Sequence, residues 1–571
     1  MQTRTPPGAE APGAAPLPVP VTAGMGPPAN LAALAVAGLT TACGGGGGAD
    51  GSATPVIPVI PAAPPGRAQA ARFLAQASLA ATPAEAARVQ AVGYAAWLDE
   101  QMALPRSTSH VEWLRAQGLA VVANKNNQTG ADAMVWRKLI VGADPLRQRV
   151  TLALSELVVV SVAGIANTSF RPFAAAAFLD ILEANAFGSY RNLLEQVSTS
   201  VAMGGYLTFK GSRKANPASG SLPDENYARE LMQLFTVGLV QLNPDGSAKL
   251  GTDGQPLETY AQADVSGLAR VFTGWETDTS LATADDPDRV VAPMVQIAAR
   301  HESGEKRFIG TVIPAGTDGV RSLRLALDAL VAHPNMGPFL GRQLIQRLVT
   351  SQPSPAYVAR VAAAFDNNGA GVKGDLRAVL RAVLLDPEAR SDAGLADPAF
   401  GKLREPVLRF VQWARSFGLA DSTDQWRIGD LSDPATKLGQ SPLRAPSVFN
   451  FFRPGYVPPN TGIGARTAPE FQITTESSVA GYLNFMQGCI GSGIAGLRAD
   501  DAALRPLAAD PAALLAELNL LLAAGQLSAA TLGALKTALD TIAVATPAGI
   551  DNRLRAAVML VMASPEYIAQ K

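Results

Sequence analysis

The chain has 571 residues, 48% of them hydrophobic, with alanine and leucine prominent, and its formal net charge is -1. That length allows one large core or two lobes sharing it, the composition favours helix, and the near-zero charge provides no basic excess for tracking a nucleic-acid backbone. Three histidines (His110, His301, His333) and two cysteines (Cys43, Cys489) fall short of the ligand sets of structural zinc.

Residues 1–42 read as a leader. Within it, Leu31 to Ala42 (LAALAVAGLTTA) is an apolar run of signal-peptide length, well below the ~20 residues needed to span a bilayer. It ends in small residues at Cys43, and residues 43–66 (CGGGGGADGSATPVIPVIPAAPPG) read as a flexible, then proline-stiffened tether. This order predicts export to the periplasm or cell surface. It resembles a bacterial lipoprotein signal, in which Cys43 is the lipid-modified first mature residue and the lipid is the only membrane attachment. Two details depart from that pattern: Leu39 stands four residues before Cys43 rather than three, and Arg4 is the only positive side chain upstream. Met25 is an internal alternative start. The competing reading is a leader without structure whose apolar patch is fortuitous. With Cys43 lipidated, Cys489 has no intramolecular partner and is expected as a buried free thiol.

Residues 67–571 read as a mainly α domain, in one or two lobes, with one or two short β-hairpins. TPAEAARVQAVGYAAWLDEQM begins with an N-cap hydroxyl (Thr82), a proline at N1 (Pro83) and a capping-box glutamate at N3 (Glu85). DPLRQRVTLALSELVVVS repeats the device with Asp144 and Pro145, and its apolar second half predicts deep burial. RPFAAAAFLDILEANAFGSYRNLLEQVSTSVAMGGYL predicts two helices broken near Gly188. In PDENYARELMQLFTVGL, helical spacing places Asn226, Arg229, Glu230 and Gln233 on one stripe and Tyr227, Leu231, Leu234 and Phe235 on another. Helices are predicted on either side of His333-Pro334, then at Pro355 to Phe365, Asp375 to Leu385, Glu405 to Phe417, Pro511 to Ala524, Ala529 to Ala543 and Asp551 to Ala563. MVQIAARHESGEKRFIGTVI alternates about Ser303-Gly304 and is the best hairpin candidate, with a weaker one around NPDGSAKLGTDG.

Several segments, in order, resemble the bacterial family called domain of unknown function 1800: PDENYARELMQLFTVGL, ADVSGLARVFTGW, RHESGEKRFIG, GVKGDLRAVLRAVLLDPEAR, GKLREPVLRF and LGQSPLRAPSVFNFFRPGYVPP. The likeness runs from about Ala70 to the C-terminus. It implies a large, helical, exported protein of unestablished activity. Members are often encoded beside domain of unknown function 1501 proteins, which resemble sulfatases and alkaline phosphatases, and this implies a sulfatase-like envelope protein as partner. One departure is Glu302, where the family pattern more often has Asp.

Three groups of residues could carry chemistry. The Asn226, Arg229, Glu230, Gln233 stripe could bind a polar substrate, with Glu230 as base or metal ligand and Arg229 holding an anion; it could equally tie off neighbouring loops, or face water. His301, Glu302, Glu305 and Lys306 lie around a tight turn and could act as general base or metal-site fragment, or simply be solvated; the family resemblance puts His301 and Lys306 foremost. Arg444, Asn450 and Arg453 sit among aromatics in SPLRAPSVFNFFRPGY, as in a binding groove or a cap over a helical core. The sequence has no G-x-x-x-x-G-K-[ST], no G-x-G-x-x-G after a predicted strand, no G-x-S-x-G elbow and no H-E-x-x-H, and DNNGAGVKGDL has Arg377 where an EF-hand needs an acid. Metal and cofactor are unspecified. Two functional readings follow: a lipid-anchored protein that binds or scaffolds a partner, and an envelope hydrolase or metal-dependent enzyme whose site joins the Asn226–Gln233 helix to the His301–Lys306 turn. The enzyme requires those segments to converge within hydrogen-bond reach of one cleft.

Overall fold

In the computed structural model, which describes residues 64–459 and 461–571, most helices start close to where the sequence places them, whereas the one expected from Asp551 begins at Pro547, capped by Thr546. The expected leader, Cys43 and the tether up to residue 63 lie outside the described residues. Thr82 Oγ1 accepts the Glu85 amide at 3.3 Å and begins the helix Pro83–Ala103. Glu85 does not complete the capping box, however. Its carboxylate accepts the Trp97 indole N–H at 2.9 Å, because Gly93 (φ 81°) kinks the helix and folds the later turn back towards it. Asp144 precedes the helix Pro145–Leu157 but caps nothing; its carboxylate accepts from Ser107 and Gln148 and pairs with Arg147. Every residue of that helix except Ser155 is buried, so burial extends beyond its apolar second half.

The stretch expected to hold two helices near Gly188 holds three, Arg171–Ala184, Tyr190–Ser198 and Val201–Tyr206, the extra break being capped by Ser200. The helices Gly319–Ala332 and Met336–Leu348 flank His333-Pro334 as expected, and Met336–Leu348 packs closely on Pro355–Asp366. A Cβ at Gly337 would lie 2.9 Å from the Ala362 carbonyl, so glycine permits this approach. The first described helix, Arg67–Ala77, packs against Pro511–Ala523, which joins the two ends of the domain. One hydrophobic cluster runs from Ala70 to Tyr567.

Strand content is three two-stranded antiparallel sheets among the described residues. The hairpin expected about Ser303-Gly304 forms one turn later: Lys306–Phe308 pairs with Thr311–Ile313 about Ile309-Gly310, while Val295–Gln296 pairs back with Trp275–Glu276. Both turn residues are left-handed, Ile309 at φ 37° and Gly310 at φ 75°, and glycine takes the second of these positions without strain. The weaker hairpin is a set of single bridges, Leu242 to Ala248 and Leu250 to Pro256. The third sheet pairs Lys402–Leu403 with Ala569–Gln570 and brings the C-terminal residues to the GKLREP segment. No helix among the described residues is long and apolar enough to cross a membrane.

Candidate functional site

The polar stripe begins on the helix Asn226–Glu230 and continues into a π-helical turn, Leu231–Phe235. Tyr227, Leu231 and Phe235 are buried and Leu234 is half-buried, as the apolar stripe requires. On the polar side the hub is Glu225, one residue before the stripe. Its carboxylate accepts from Ser266 Oγ at 2.6 Å, Gln262 Nε2 at 2.7 Å and Arg229 Nη2 at 3.3 Å, and Arg229 also donates to Gln262 Oε1 at 3.0 Å. The Ser266 hydroxyl first, then Gln262 and Arg229, hold the Glu225 carboxyl below its ordinary value. Arg229 therefore ties its helix to the helix Gln262–Ala269. Asn226 donates its amide to Asp224 and its side chain to Thr208 at 3.4 Å. Gln233 is half-buried and its side chain forms no hydrogen bond among the described residues. Glu230 differs from all of these. Its Oε2 is shielded from solvent without a hydrogen-bond partner among the described residues, and burial raises its pKa. Its charge adds to burial in pushing Tyr206 up to about 12.

The His301 segment is closed in on itself. His301 is buried, its Nδ1 donates to the Thr273 carbonyl at 3.0 Å, and its Nε2 lies 3.4 Å from Ser322 Oγ. Burial, the largest influence, lowers its pKa, so the ring is neutral in the fold near neutral pH. Lys306 is buried in the strand Lys306–Phe308, donates to the Gly304 carbonyl at 3.3 Å, and is likewise lowered by burial. Glu302 accepts the Gly304 amide at 3.0 Å, while its own amide donates to Thr273 Oγ1 at 2.8 Å. Both this segment and the Asn226–Glu230 helix lie against the helix Gln262–Ala269, where Gly267 lets the backbone of Arg307 approach. No hydrogen bond or ion pair among the described residues joins Asn226–Gln233 to His301–Lys306.

The third group acts as a brace. Arg444 grips Asp132 with Nε–Oδ1 and Nη2–Oδ2 bonds of 2.8 and 2.7 Å and reaches Gln128 with its remaining nitrogen. The bond to Asp132 keeps the guanidinium pKa above its ordinary value. Asn450 has a left-handed backbone (φ 59°), and the Arg453 guanidinium stacks 4.7 Å from the Phe449 ring centroid.

The family of the chain can be stated at this point. The family model described as protein of unknown function (DUF1800) matches residues 72–569. The chain belongs to that family. No curated protein and no solved structure matches it.

Two clusters inside this DUF1800 domain escape a reading by spacing alone. In the first, Lys402 Nζ lies 3.1 Å from Glu405 and 3.0 Å from Glu470 and donates to the Arg347 carbonyl at 2.8 Å, all within the interior. Arg149 donates to the same carbonyl at 2.6 Å, and Arg347 donates to the Glu156 carbonyl at 3.0 Å. Burial raises the Glu156 carboxyl well above its ordinary value, and Glu405 beside it raises it further. Burial pushes Glu405 upward too, but Lys402 foremost, with the neighbouring Glu156, Arg149 and Gln440, outweighs that and holds it down. The available signal was GKLREP itself, two cations and an acid at a proline-started helix. In the second cluster, His110 Nδ1 lies 2.8 Å from Asp180 Oδ1 and 3.7 Å from Glu183 Oε2, and Lys138 Nζ is 2.7 Å from Glu183 Oε1. The His110, Asp180 and Glu183 ligand atoms lie within 4.8 Å of one another, as a metal would need. The Lys138 ammonium already supplies the positive charge there, which makes the trio an ion-paired interior. Its signal was Asp180 and Glu183, three apart on a buried, alanine-rich helix.

Proposed function

We propose that this DUF1800 protein is exported, anchored through lipid on Cys43, and binds or scaffolds a partner in the cell envelope, with a sulfatase-like protein of the domain of unknown function 1501 family as that partner. The observation that carries the binding part is how the polar residues of the family-like segments are used. Arg444 holds Asp132, Lys402 holds Glu405 and Glu470, and His301 is fixed between Thr273 and Ser322. Each joins chain segments to one another, and the two segments proposed to form an enzyme site are not linked by a hydrogen bond among the described residues. That use of polar groups supports a rigid presenting surface. The leader, Cys43 and the glycine-proline run to residue 66 support export and a tethered domain.

A bacterial host fed radiolabelled palmitate tests the anchor. The parent is expected to take up label and fractionate with membranes, and Cys43→Ala to lose both; label that persists in Cys43→Ala, or is absent from the parent, overturns the anchoring. Co-purification of the full chain with a domain of unknown function 1501 protein from the same genome tests the partner, and failure of the two purified proteins to associate at micromolar concentration overturns that assignment. A second reading, an envelope hydrolase or metal-dependent enzyme, is favoured by Glu230 alone, whose shielded oxygen and raised pKa suit a general base.

A further inference from the structure

The C-terminal part of the domain carries a cleft of about 150 Å³ between the helices Pro406–Ser416, Glu476–Ser492 and Pro547–Ala563 and the turn Ala502–Leu507. At about 30 Å³ per water this is room for about five waters, more than a packing defect and less than a phospholipid needs. Its floor is apolar: Trp413, Phe417, Leu554 and Val558 all line it and are buried. Its rim holds three arginines, Arg498, Arg505 and Arg555, against two carboxylates, Asp501 and Asp551. Both carboxylates are engaged by one arginine: Arg505 Nη1 lies 2.5 Å from Asp551 and 3.6 Å from Asp501. The side chains of Arg498 and Arg555 form neither a hydrogen bond nor an ion pair among the described residues, and guanidinium stays protonated at any physiological pH. The charge left facing the cleft is therefore positive.

The chain builds this rim on purpose-shaped backbone. The helix Glu476–Ser492 ends at Gly493 (φ 84°), and a tight turn closed by mutual Ile494 and Leu497 bonds of 2.9 and 2.8 Å reverses the chain so that Arg498 comes back over the helix end. A Cβ on Gly493 would meet the Leu497 carbonyl and stand 3.0 Å from Arg498 Cγ, so the turn and the arginine's placement both depend on glycine there. Cys489 also lines the cleft, and burial lifts its thiol to about 12, which removes thiolate chemistry from the site at neutral pH.

We propose that this cleft binds a small amphipathic organic anion, a carboxylate with a compact apolar body, which lays that body on Trp413 and Phe417 and places its charge between Arg498 and Arg555. Two forked donors suit a planar carboxylate, and a site that mixes an apolar floor with a few directed polar groups is how small-molecule pockets are built. Neither export nor any protein partner is required for it. The same headgroup chemistry could come from an anionic lipid, which the size of the cleft disfavours.

The test uses the full chain carrying Cys43→Ser, so that no detergent competes, with benzoate as probe in equilibrium dialysis. Saturable one-to-one binding of benzoate is expected, with benzyl alcohol, its neutral counterpart, at least about tenfold weaker, a gap of roughly 1.4 kcal/mol. Arg498→Gln with Arg555→Gln is expected to weaken benzoate by about tenfold or more at an unchanged melting midpoint. Arg498→Gln alone, at an exposed side chain, is expected to weaken it as well and guards against a folding artefact. No saturable binding, equal binding of benzyl alcohol, or full affinity in the double variant overturns the proposal. So does inorganic sulfate competing as well as benzoate, which would mean a bare anion site. Sedimentation with phosphatidylglycerol vesicles that requires both arginines would assign the cleft to a lipid headgroup and overturn the small-molecule reading.

Discussion

Glu230 is buried further than its hydrogen bonding explains. Burial lifts its pKa above the ordinary 4.5, and Arg229 only partly opposes this. A carboxyl that binds its proton more tightly in the folded state contributes stability below about pH 4.5 and loses it as pH rises through the folded pKa. Glu230→Gln is therefore expected to match the parent in urea unfolding at about pH 4 and to exceed it at about pH 8, by a modest amount because the side chain keeps part of its hydration. A variant that instead loses about 3 kcal/mol at the higher pH would place Glu230 in a buried charge network and remove the case for it as a base. Sequence made the stripe legible but not its partners. Spacing shows that Arg229 and Glu230 are neighbours on a helix; it cannot show that Gln262 and Ser266 meet Glu225, or that Asp132 waits 312 positions from Arg444. Arg444 among aromatics looks like a ligand-binding residue until Asp132 is seen, because the side chain that braces a core and the one that binds an anion are chemically the same.

Helix ends were the most legible elements, since caps act within three or four residues of themselves. Ser354, Asp375, Asp510 and Ser528 each accept a first-turn amide, close to where the pattern places a start. Features decided by distant packing were less so. Glu85 and Asp144 have the spacing of caps, yet side-chain donors, Trp97 for one and Ser107, Gln148 and Arg147 for the other, claim their oxygens. The π turn at Leu231–Phe235 is a further case, because helical periodicity in LMQLF reads the same for either hydrogen-bond pattern. Its closure is visible in two bonds of matching step: Val237 N to the Met232 carbonyl at 3.0 Å, and Thr236 Oγ1 to the Leu231 carbonyl at 2.6 Å. Thr236 is fully buried, so Thr236→Val keeps the shape and leaves the Leu231 carbonyl without that hydroxyl. A loss of roughly 1–2 kcal/mol is expected, read from urea unfolding, with Thr236→Ser close to the parent. A Thr236→Val chain as stable as the parent would show that the hydroxyl does not fix the turn.

Across the whole molecule, stability depends on how Lys402, Arg149 and Arg347 are neutralised in a region without solvent. Lys402 and its partners connect the strand Lys402–Leu403, the helices Pro145–Leu157 and Met336–Leu348, and the turn Pro469–Ile473, so residues more than 250 positions apart meet there. The two neighbouring carboxyls have opposite pH behaviour. Glu405 is held down near 2, so its contribution is present above its ordinary 4.5 and is lost only as pH falls through that low value. Glu156 is raised, so its contribution is present below 4.5 and is lost as pH climbs through its folded pKa. The opposite directions point to Glu156 as the protonated member of the pair and to Glu405, 3.1 Å from Lys402, as the anion. Glu405→Gln removes the anion and leaves buried cations uncompensated, and is expected to cost about 3–5 kcal/mol at pH 7. Glu156→Gln keeps a neutral donor in the same place, and is expected to leave stability at pH 7 unchanged or higher, with its advantage over the parent widening as pH rises above 4.5. Urea unfolding of both variants across pH 5 to 9 reads the contrast directly. Equal losses in the two variants would mean that both carboxylates are charged in the fold, and the assignment of donor and anion within the pair would have to be abandoned.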